Sequence, residues 1–186
     1  MASAVFELLV FSLPSMVWAR RLRSSGSSRH EAMVAVGVEP GTASGYGLAL
    51  ALVIPVTAVA VLALNVIPSH VLHGGSRNVV GAPSSAGDYV AIVLLALAEE
   101  MLFRGFLAGV LFRRFGFQLG NIFQALIFFA PHTLLLLVSL SLWPLLPLQL
   151  FAGWVLGWLR ERSGSIGPCW LAHALTNLLP AVLFGL

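Results

Sequence analysis

Long apolar segments alternate with short polar connections along most of this chain. A helix that crosses a bilayer needs about 20 mainly apolar residues. Six segments meet this requirement, so the pattern predicts an all-α fold: a polytopic transmembrane helical bundle of about six spans. The segments lie at residues 3–19, 46–68, 88–111, 118–140, 142–160 and 165–186.

The composition favours lipid as the surrounding solvent. Of the 186 residues, 59% are hydrophobic and only 9% are charged, whereas soluble domains carry roughly 25% charged residues. We therefore predict an integral membrane protein whose surface contacts the lipid bilayer. The chain is basic overall, but its arginines form small clusters beside apolar segments. That arrangement fits membrane topology, and we expect no nucleic-acid partner.

The arginines are distributed unevenly among the predicted connections. Cytoplasmic loops of membrane proteins carry an excess of basic residues. Only Arg77 lies in a connection on one side, whereas eight arginines lie in the connections on the other. This asymmetry predicts a multi-pass protein of the plasma (inner) membrane, with both termini outside and the Arg-rich loops in the cytoplasm. The eight are Arg20, Arg21, Arg23, Arg29, Arg113, Arg114, Arg160 and Arg162.

Strongly polar side chains occur at membrane depth in three of the predicted spans. Ionisable groups are costly in hydrocarbon and usually mark function. From a rise of about 1.5 Å per residue, they all fall in the middle or cytoplasmic half of the bilayer, so we expect them to meet in one site. Glu7, near the outer end of the first span, is set apart from them. The set is Glu99, Glu100, Arg104, His132, His173 and Asn177.

The spacing within the third span predicts two different roles for its carboxylates. Glu100 and Arg104 are four residues apart in the order that favours a helical ion pair. Glu99 then points about 100° away around the helix and has no partner of its own. In the fourth span, Pro131 cannot donate its backbone hydrogen bond, so we expect a kink there and a water pocket beside it.

Glutamate and histidine side chains around a water molecule can perform hydrolysis. Glu99 can take a proton from water as general base, helped by His132, while His173 and Asn177 can donate hydrogen bonds to an oxyanion. The same residue types also bind zinc, and the residues alone do not separate these mechanisms. A purely structural interpretation, in which the polar groups only hold helices together, is the simplest alternative.

Other classes of intramembrane protease lack their residues here. The zinc type needs a His-Glu-x-x-His motif, but Val34 stands where His30-Glu31 would require the second histidine. An aspartate pair is excluded because Asp88 is the only aspartate, and the serines lie near loops or span ends.

Three motifs in order carry a resemblance to a known family. Glu99-Glu100-Met-Leu-Phe-Arg104, Phe128-Phe-Ala-Pro-His132 and His173-Ala-Leu-Thr-Asn177 match its Glu-Glu-x-x-x-Arg, Phe-x-x-x-His and His-x-x-x-Asn patterns. The chain thus resembles the CPBP family of intramembrane proteases, also called the CAAX protease and bacteriocin-processing (Abi) family. The resemblance covers residues 88–186, which we predict to be a catalytic core of four spans. Residues 1–87 then form an N-terminal part of two spans.

The resemblance implies an intramembrane endopeptidase with a membrane-associated peptide or protein as its substrate. It implies that Glu99 and His132 activate water and that His173 and Asn177 stabilise the oxyanion. The family has been described both as metal-dependent and as glutamate-dependent. We expect no required cofactor; in the alternative, a divalent metal such as zinc is held by Glu99, His132 and His173. A second hypothesis is a non-catalytic subunit that stabilises or regulates a partner membrane protein.

The resemblance also gives supporting roles to the remaining motif residues. It implies that Glu100 and Arg104 support the site as an ion pair, and that Phe128 packs within the second motif.

Overall fold

The computed structural model of the protein describes residues 1–73, 83 and 85–184. All regular structure in these residues is helical, as the apolar pattern predicts. Most of the predicted outer connection, including Arg77, lies outside the described residues. The helices are α1 (Ala2–Ser24), α2 (Arg29–Ala35), α3 (Ala43–Val66), α4 (Ser69–His73), α5 (Ala86–Glu100), a π-helix (Met101–Leu107), α6 (Ala108–His132), α7 (Leu135–Val138), a 3₁₀ turn (Leu140–Leu142), α8 (Leu145–Ser163) and α9 (Ile166–Phe184).

Two helices are long and apolar enough to cross a membrane on their own, α1 and α3. The helices of the C-terminal part are shorter or carry more polar groups. Helix α5 has 15 residues before the π-helix begins, and the last turn of α8 carries the charged residues Arg160, Glu161 and Arg162. Among the described residues, length and apolar composition therefore account for two of the six predicted spans.

Helix α6 folds back on itself at Gly116. This residue has φ 73° and ψ 168°, a conformation that favours glycine because a side chain would be strained there. A Cβ atom on Gly120 would lie 2.8 Å from the carbonyl of Leu111, whereas residues nine apart in a straight helix are about 13 Å apart. The reversal falls within residues 112–117, the predicted connection between the third and fourth spans.

The fourth predicted span ends earlier than its apolar pattern indicates. Helix α6 stops at His132, one residue after Pro131, and the N–H groups of Thr133 and Leu134 donate to the carbonyls of Ala130 and Pro131. These bonds tighten the last turn instead of continuing the helix. The prediction of one helix that continues to residue 140 is therefore wrong, whereas the interruption directly after Pro131 lies where the sequence predicts a kink.

The helices of the N-terminal part cover the C-terminal helices on two sides. Helix α1 packs along α5 and the π-helix, while α3 packs along α9 and α8. Helix α6 packs on α8, and α5 packs on α9. The outward faces carry exposed apolar side chains such as Phe6, Ile54 and Leu62, as a surface in contact with lipid requires.

Short helix α2 lies in the connection between α1 and α3. Its first residue follows a capping box in which Ser28 and Glu31 exchange hydrogen bonds. The bond from the Ser28 backbone N–H holds the pKa of Glu31 below its usual range. At the other end of α2, the carbonyls of Val34 and Ala35 accept hydrogen bonds from Arg160 of α8. The connection is thereby fastened to the bundle.

Candidate active site

A buried charge cluster joins α5, the π-helix and α9. Glu100 Oε1 accepts a hydrogen bond from Arg104 Nη1 at 3.0 Å, and both side chains are fully buried. The same carboxylate oxygen lies 2.8 Å from His173 Nδ1. Buried charges are stable only when they are paired and hydrogen-bonded. Glu100 therefore holds together the arginine of its own segment and the histidine of α9.

Arg104 lies in the π-helix, a rare form that often occurs at functional sites. Its Nη2 donates to the carbonyl of Gly153 at 3.2 Å, and Gln124 donates to the same carbonyl at 2.6 Å. The guanidinium carbon lies 4.4 Å from the centre of the Phe128 ring, within the range of a cation–π contact. These contacts fix Arg104 from two further helices, α6 and α8.

The Phe128 ring lies between the two histidines. Its centre is 4.8 Å from the His132 ring and 6.2 Å from the His173 ring. Phe103 packs edge-on against it at 4.9 Å. The Phe128 carbonyl is 2.8 Å from His132 Nδ1, and because a carbonyl only accepts, this ring nitrogen carries the proton. His132 Nε2 is then left as an acceptor in the neutral ring.

Glu99 lines an open cleft of about 420 Å³ together with His132. Its Oε2 lies 3.8 Å from His173 Nε2, too far for a direct hydrogen bond. Within the part of the chain that the structure describes, Glu99 makes no hydrogen bond. The rest of the wall is mainly apolar and includes Leu95 and Phe103. A partly exposed carboxylate without a hydrogen-bonding partner among the described residues thus faces an open, mainly apolar space.

His173 and Asn177 line a second cavity, between α3, α8 and α9. They lie one turn apart on α9, and Asn177 is exposed. The structure brings five of the predicted residues together with His173 through the contacts above, and Asn177 is placed one turn beyond it. The five are Glu99, Glu100, Arg104, Phe128 and His132.

The arrangement does not fit the metal ligand set. Among residues 1–73, 83 and 85–184, no three His, Cys, Asp or Glu side chains are grouped so that they could hold a metal ion. Glu99, His132 and His173 therefore do not form a metal-binding cage as they stand.

Several residues of the site escaped the sequence analysis. Glu7 was set apart, yet it lines the same cleft as Glu99. The prediction that Arg160 lies in a connection is wrong: it belongs to α8, is 9% exposed, and its Nε donates to the Arg104 carbonyl at 3.3 Å. Asn121 and Gln124 are fully buried and hydrogen-bonded to each other. Their polar spacing inside a predicted span was the signal that could have identified them.

Comparison with known proteins identifies the family. The sequence model described as "Type II CAAX prenyl endopeptidase Rce1-like" matches residues 86–179. This segment holds 94 of the 186 residues, just over half of the chain, and contains all three motifs. No curated protein and no solved structure matches the chain. The chain therefore belongs to the Rce1-like family of type II CAAX prenyl endopeptidases, a family of membrane-embedded proteases.

Proposed function

We propose that this protein hydrolyses a peptide bond in a membrane-associated substrate, with Glu99 as the general base. One observation carries the proposal. His173 is fixed by Glu100 at Nδ1, so its Nε2 faces the Glu99 carboxylate at 3.8 Å. Glu100 thus holds His173 beside Glu99, the acid that lines the cleft, whereas a purely structural ion pair would need only Glu100 and Arg104.

His132 and Glu99 are the residues that hold the attacking water. With the proton of His132 on Nδ1, its Nε2 accepts a hydrogen bond from water. Glu99 takes the other proton as the water oxygen bonds to the substrate carbonyl carbon. The C–N bond then breaks, Glu99 returns the proton to the departing amine, and the products together contain the substrate plus one water.

His173 and Asn177 are the proposed donors to the oxyanion. With Nδ1–H of His173 committed to Glu100, a donor role requires a proton on Nε2, the atom that lies 3.8 Å from Glu99 Oε2. Asn177 offers its amide N–H from the next turn of α9. A donor that is fixed before the reaction, as His173 is by Glu100, stabilises developing charge without reorganisation. The contacts of Arg104 with Phe128 and Gly153 hold this frame in place.

The topology remains part of the proposal. We assign six spans to α1, α3, α5 with the π-helix, the part of α6 after Gly116, α8 and α9. Both termini then lie outside the plasma (inner) membrane. Arg20, Arg21 and Arg23 lie in the cytoplasm, and exposed Arg113 and Arg114 lie on the same side.

Family membership supports a substrate that ends in a prenylated CAAX sequence, in which a lipid is attached to the cysteine. The test is cleavage of a farnesylated CAAX peptide by the purified protein in lipid nanodiscs, with the products identified by mass. We expect two fragments whose masses add up to the peptide plus water. If the protein binds a membrane partner but leaves this peptide intact, it is a regulatory subunit.

A further inference from the structure

Helix α1 brings a second carboxylate into the cleft of Glu99. Glu7 and Phe11, one turn apart, form part of the wall that also includes Glu99 and His132. Helix α1 lies outside residues 86–179, the segment that the family model matches. The three motifs therefore assign no role to Glu7, although it faces the same space as the proposed base.

The direction of Glu7 is set by how α1 docks on the bundle. Glu7, Phe11 and Ser15 lie at four-residue intervals and share a face of the helix. Ser15 is buried, and its hydroxyl donates to the Met101 carbonyl at 2.6 Å, at the start of the π-helix. The opposite face of α1 exposes apolar side chains such as Leu9 and Leu13. Glu7 thus points towards the cleft because α1 is fastened two turns further along.

The charge of Glu7 is not balanced within the described part of the chain. Glu7 makes no hydrogen bond or ion pair with any described residue, and the other ionisable groups that line the cleft are Glu99 and His132. An unpaired carboxylate in the mainly apolar cleft of a membrane-embedded protein is costly, and such residues mark substrate pathways. Because Glu99 has the same charge, the cleft favours a positively charged group from outside the protein.

We propose that Glu7 is a specificity-determining residue that binds a lysine or arginine side chain of the peptide substrate. This inference rests on the proposed function, because it takes the cleft as the place where the peptide lies. A peptide whose scissile bond lies at Glu99 extends past α1, where a basic side chain reaches Glu7. Substrates with a neutral or acidic side chain at that position lose this contact, and acidic ones also meet repulsion.

The test uses farnesylated CAAX peptides that differ at one residue. Lysine is moved through successive positions before the cysteine, with alanine and glutamate at the same positions as controls. Binding to the full protein is measured in nanodiscs of uncharged lipid, so that lipid headgroups do not select charge. At one position, we expect the lysine peptide to bind about tenfold more tightly than the alanine peptide, a difference of about 1.4 kcal/mol.

Variants assign this preference to Glu7. Glu7→Gln should abolish it, Glu7→Arg should make the glutamate peptide the tightest binder, and Glu161→Gln, at an exposed position on α8, should keep it. An unchanged preference in Glu7→Gln, equal binding of all peptides, or no binding overturns the inference.

Cleavage of the alanine peptide by the unmodified protein is measured separately. Charge-dependent binding without cleavage supports the role of Glu7 and contradicts the peptidase, whereas cleavage without charge preference does the reverse.

Discussion

Arg104 illustrates how a single charge can be kept inside a membrane-embedded site. Its guanidinium is shared among a carboxylate, a backbone carbonyl and an aromatic ring, which come from Glu100, Gly153 and Phe128. Each partner belongs to a different segment of the bundle. Arginine suits this position because its planar donors are arranged in a fixed fork and its flat face stacks on aromatic rings.

Removal of the Arg104 side chain should therefore lower the stability of the fold, in addition to any effect on catalysis. Arg104→Ala leaves the buried Glu100 carboxylate without its main counter-charge, and breaking a buried pair from one side costs about 3–5 kcal/mol. We expect a lower folded yield and a lower unfolding temperature in detergent than for Glu99→Ala. Arg114→Ala, at an exposed position of α6, is the control. Equal unfolding temperatures for all three variants would contradict the structural role of the pair.

Asn177 differs from Arg104, because it is exposed and makes no hydrogen bond among the described residues. We therefore expect it to matter for the reaction and not for the stability of the fold. Asn177→Ala should lower kcat by about 10²–10³-fold, as expected for the loss of one oxyanion donor, with little change in KM. Its unfolding temperature should match that of the unmodified protein. Asn65→Ala, which alters an exposed asparagine of α3, should retain full activity. A wild-type kcat for Asn177→Ala would remove this residue from the mechanism.

At the scale of the elements, two glycines of α8 determine how closely α6 approaches. A Cβ atom on Gly153 would lie 3.0 Å from the Phe128 ring, and one on Gly157 would collide with the side chains of Asn121 and Gln124. Small residues at this spacing allow helix backbones in membranes to approach closely. Here the close approach also brings the Gly153 carbonyl within reach of Arg104.

Gly157→Ala tests whether this packing supports the site. The added methyl group must displace Asn121 and Gln124, and overpacking of this kind costs about 1–3 kcal/mol. We expect a lower unfolding temperature and reduced cleavage. Gly47→Ala in α3, where an added Cβ atom would meet no atom within 4 Å beyond its own stretch of helix, is the matched control and should be neutral or stabilising by about 0.5–1 kcal/mol. If both variants unfold at the same temperature, α6 and α8 do not need this contact.

Contacts within one helix could be predicted from the sequence, whereas most contacts between helices could not. The four-residue interval between Glu100 and Arg104 predicted their pairing because helical geometry alone determines it. Glu7 was set apart because it lies near the outer end of the first predicted span, and its position along α1 says nothing about which neighbouring helix its face meets. Arg160 was assigned to a loop for the same reason: near a span end, sequence does not distinguish a solvated arginine from one that donates to Val34 and Ala35.

At the scale of the whole molecule, polar groups are kept inside and apolar side chains face outward. The charge cluster lies where α5, the π-helix, α6, α8 and α9 meet, while exposed Phe6, Ile54 and Leu137 cover the outside. Such a surface is stable in lipid. Among residues 1–73, 83 and 85–184, length and apolarity alone identify α1 and α3 as spans; charged residues in the last turn of α8 are one reason why a helix of the C-terminal part does not meet the same requirement.

The proposed topology can be tested by labelling with a membrane-impermeant maleimide. Ser25→Cys lies after α1 and His70→Cys lies after α3, both at exposed positions. The native Cys169 is fully buried and should give little background. In intact cells we expect His70→Cys to be labelled and Ser25→Cys to react only after the membrane is opened. Labelling of both cysteines in intact cells would contradict the six-span arrangement.

The central claim is that Glu99 activates the water, and the most direct test is cleavage by Glu99→Gln. This change keeps the shape of the side chain and removes the base. It is compared in nanodiscs with Glu161→Gln, the same change at an exposed position, using the farnesylated CAAX peptide. We predict that both variants unfold at the wild-type temperature, that Glu161→Gln cleaves at the wild-type rate, and that Glu99→Gln does not cleave above background. Cleavage at the wild-type rate by folded Glu99→Gln would contradict the mechanism.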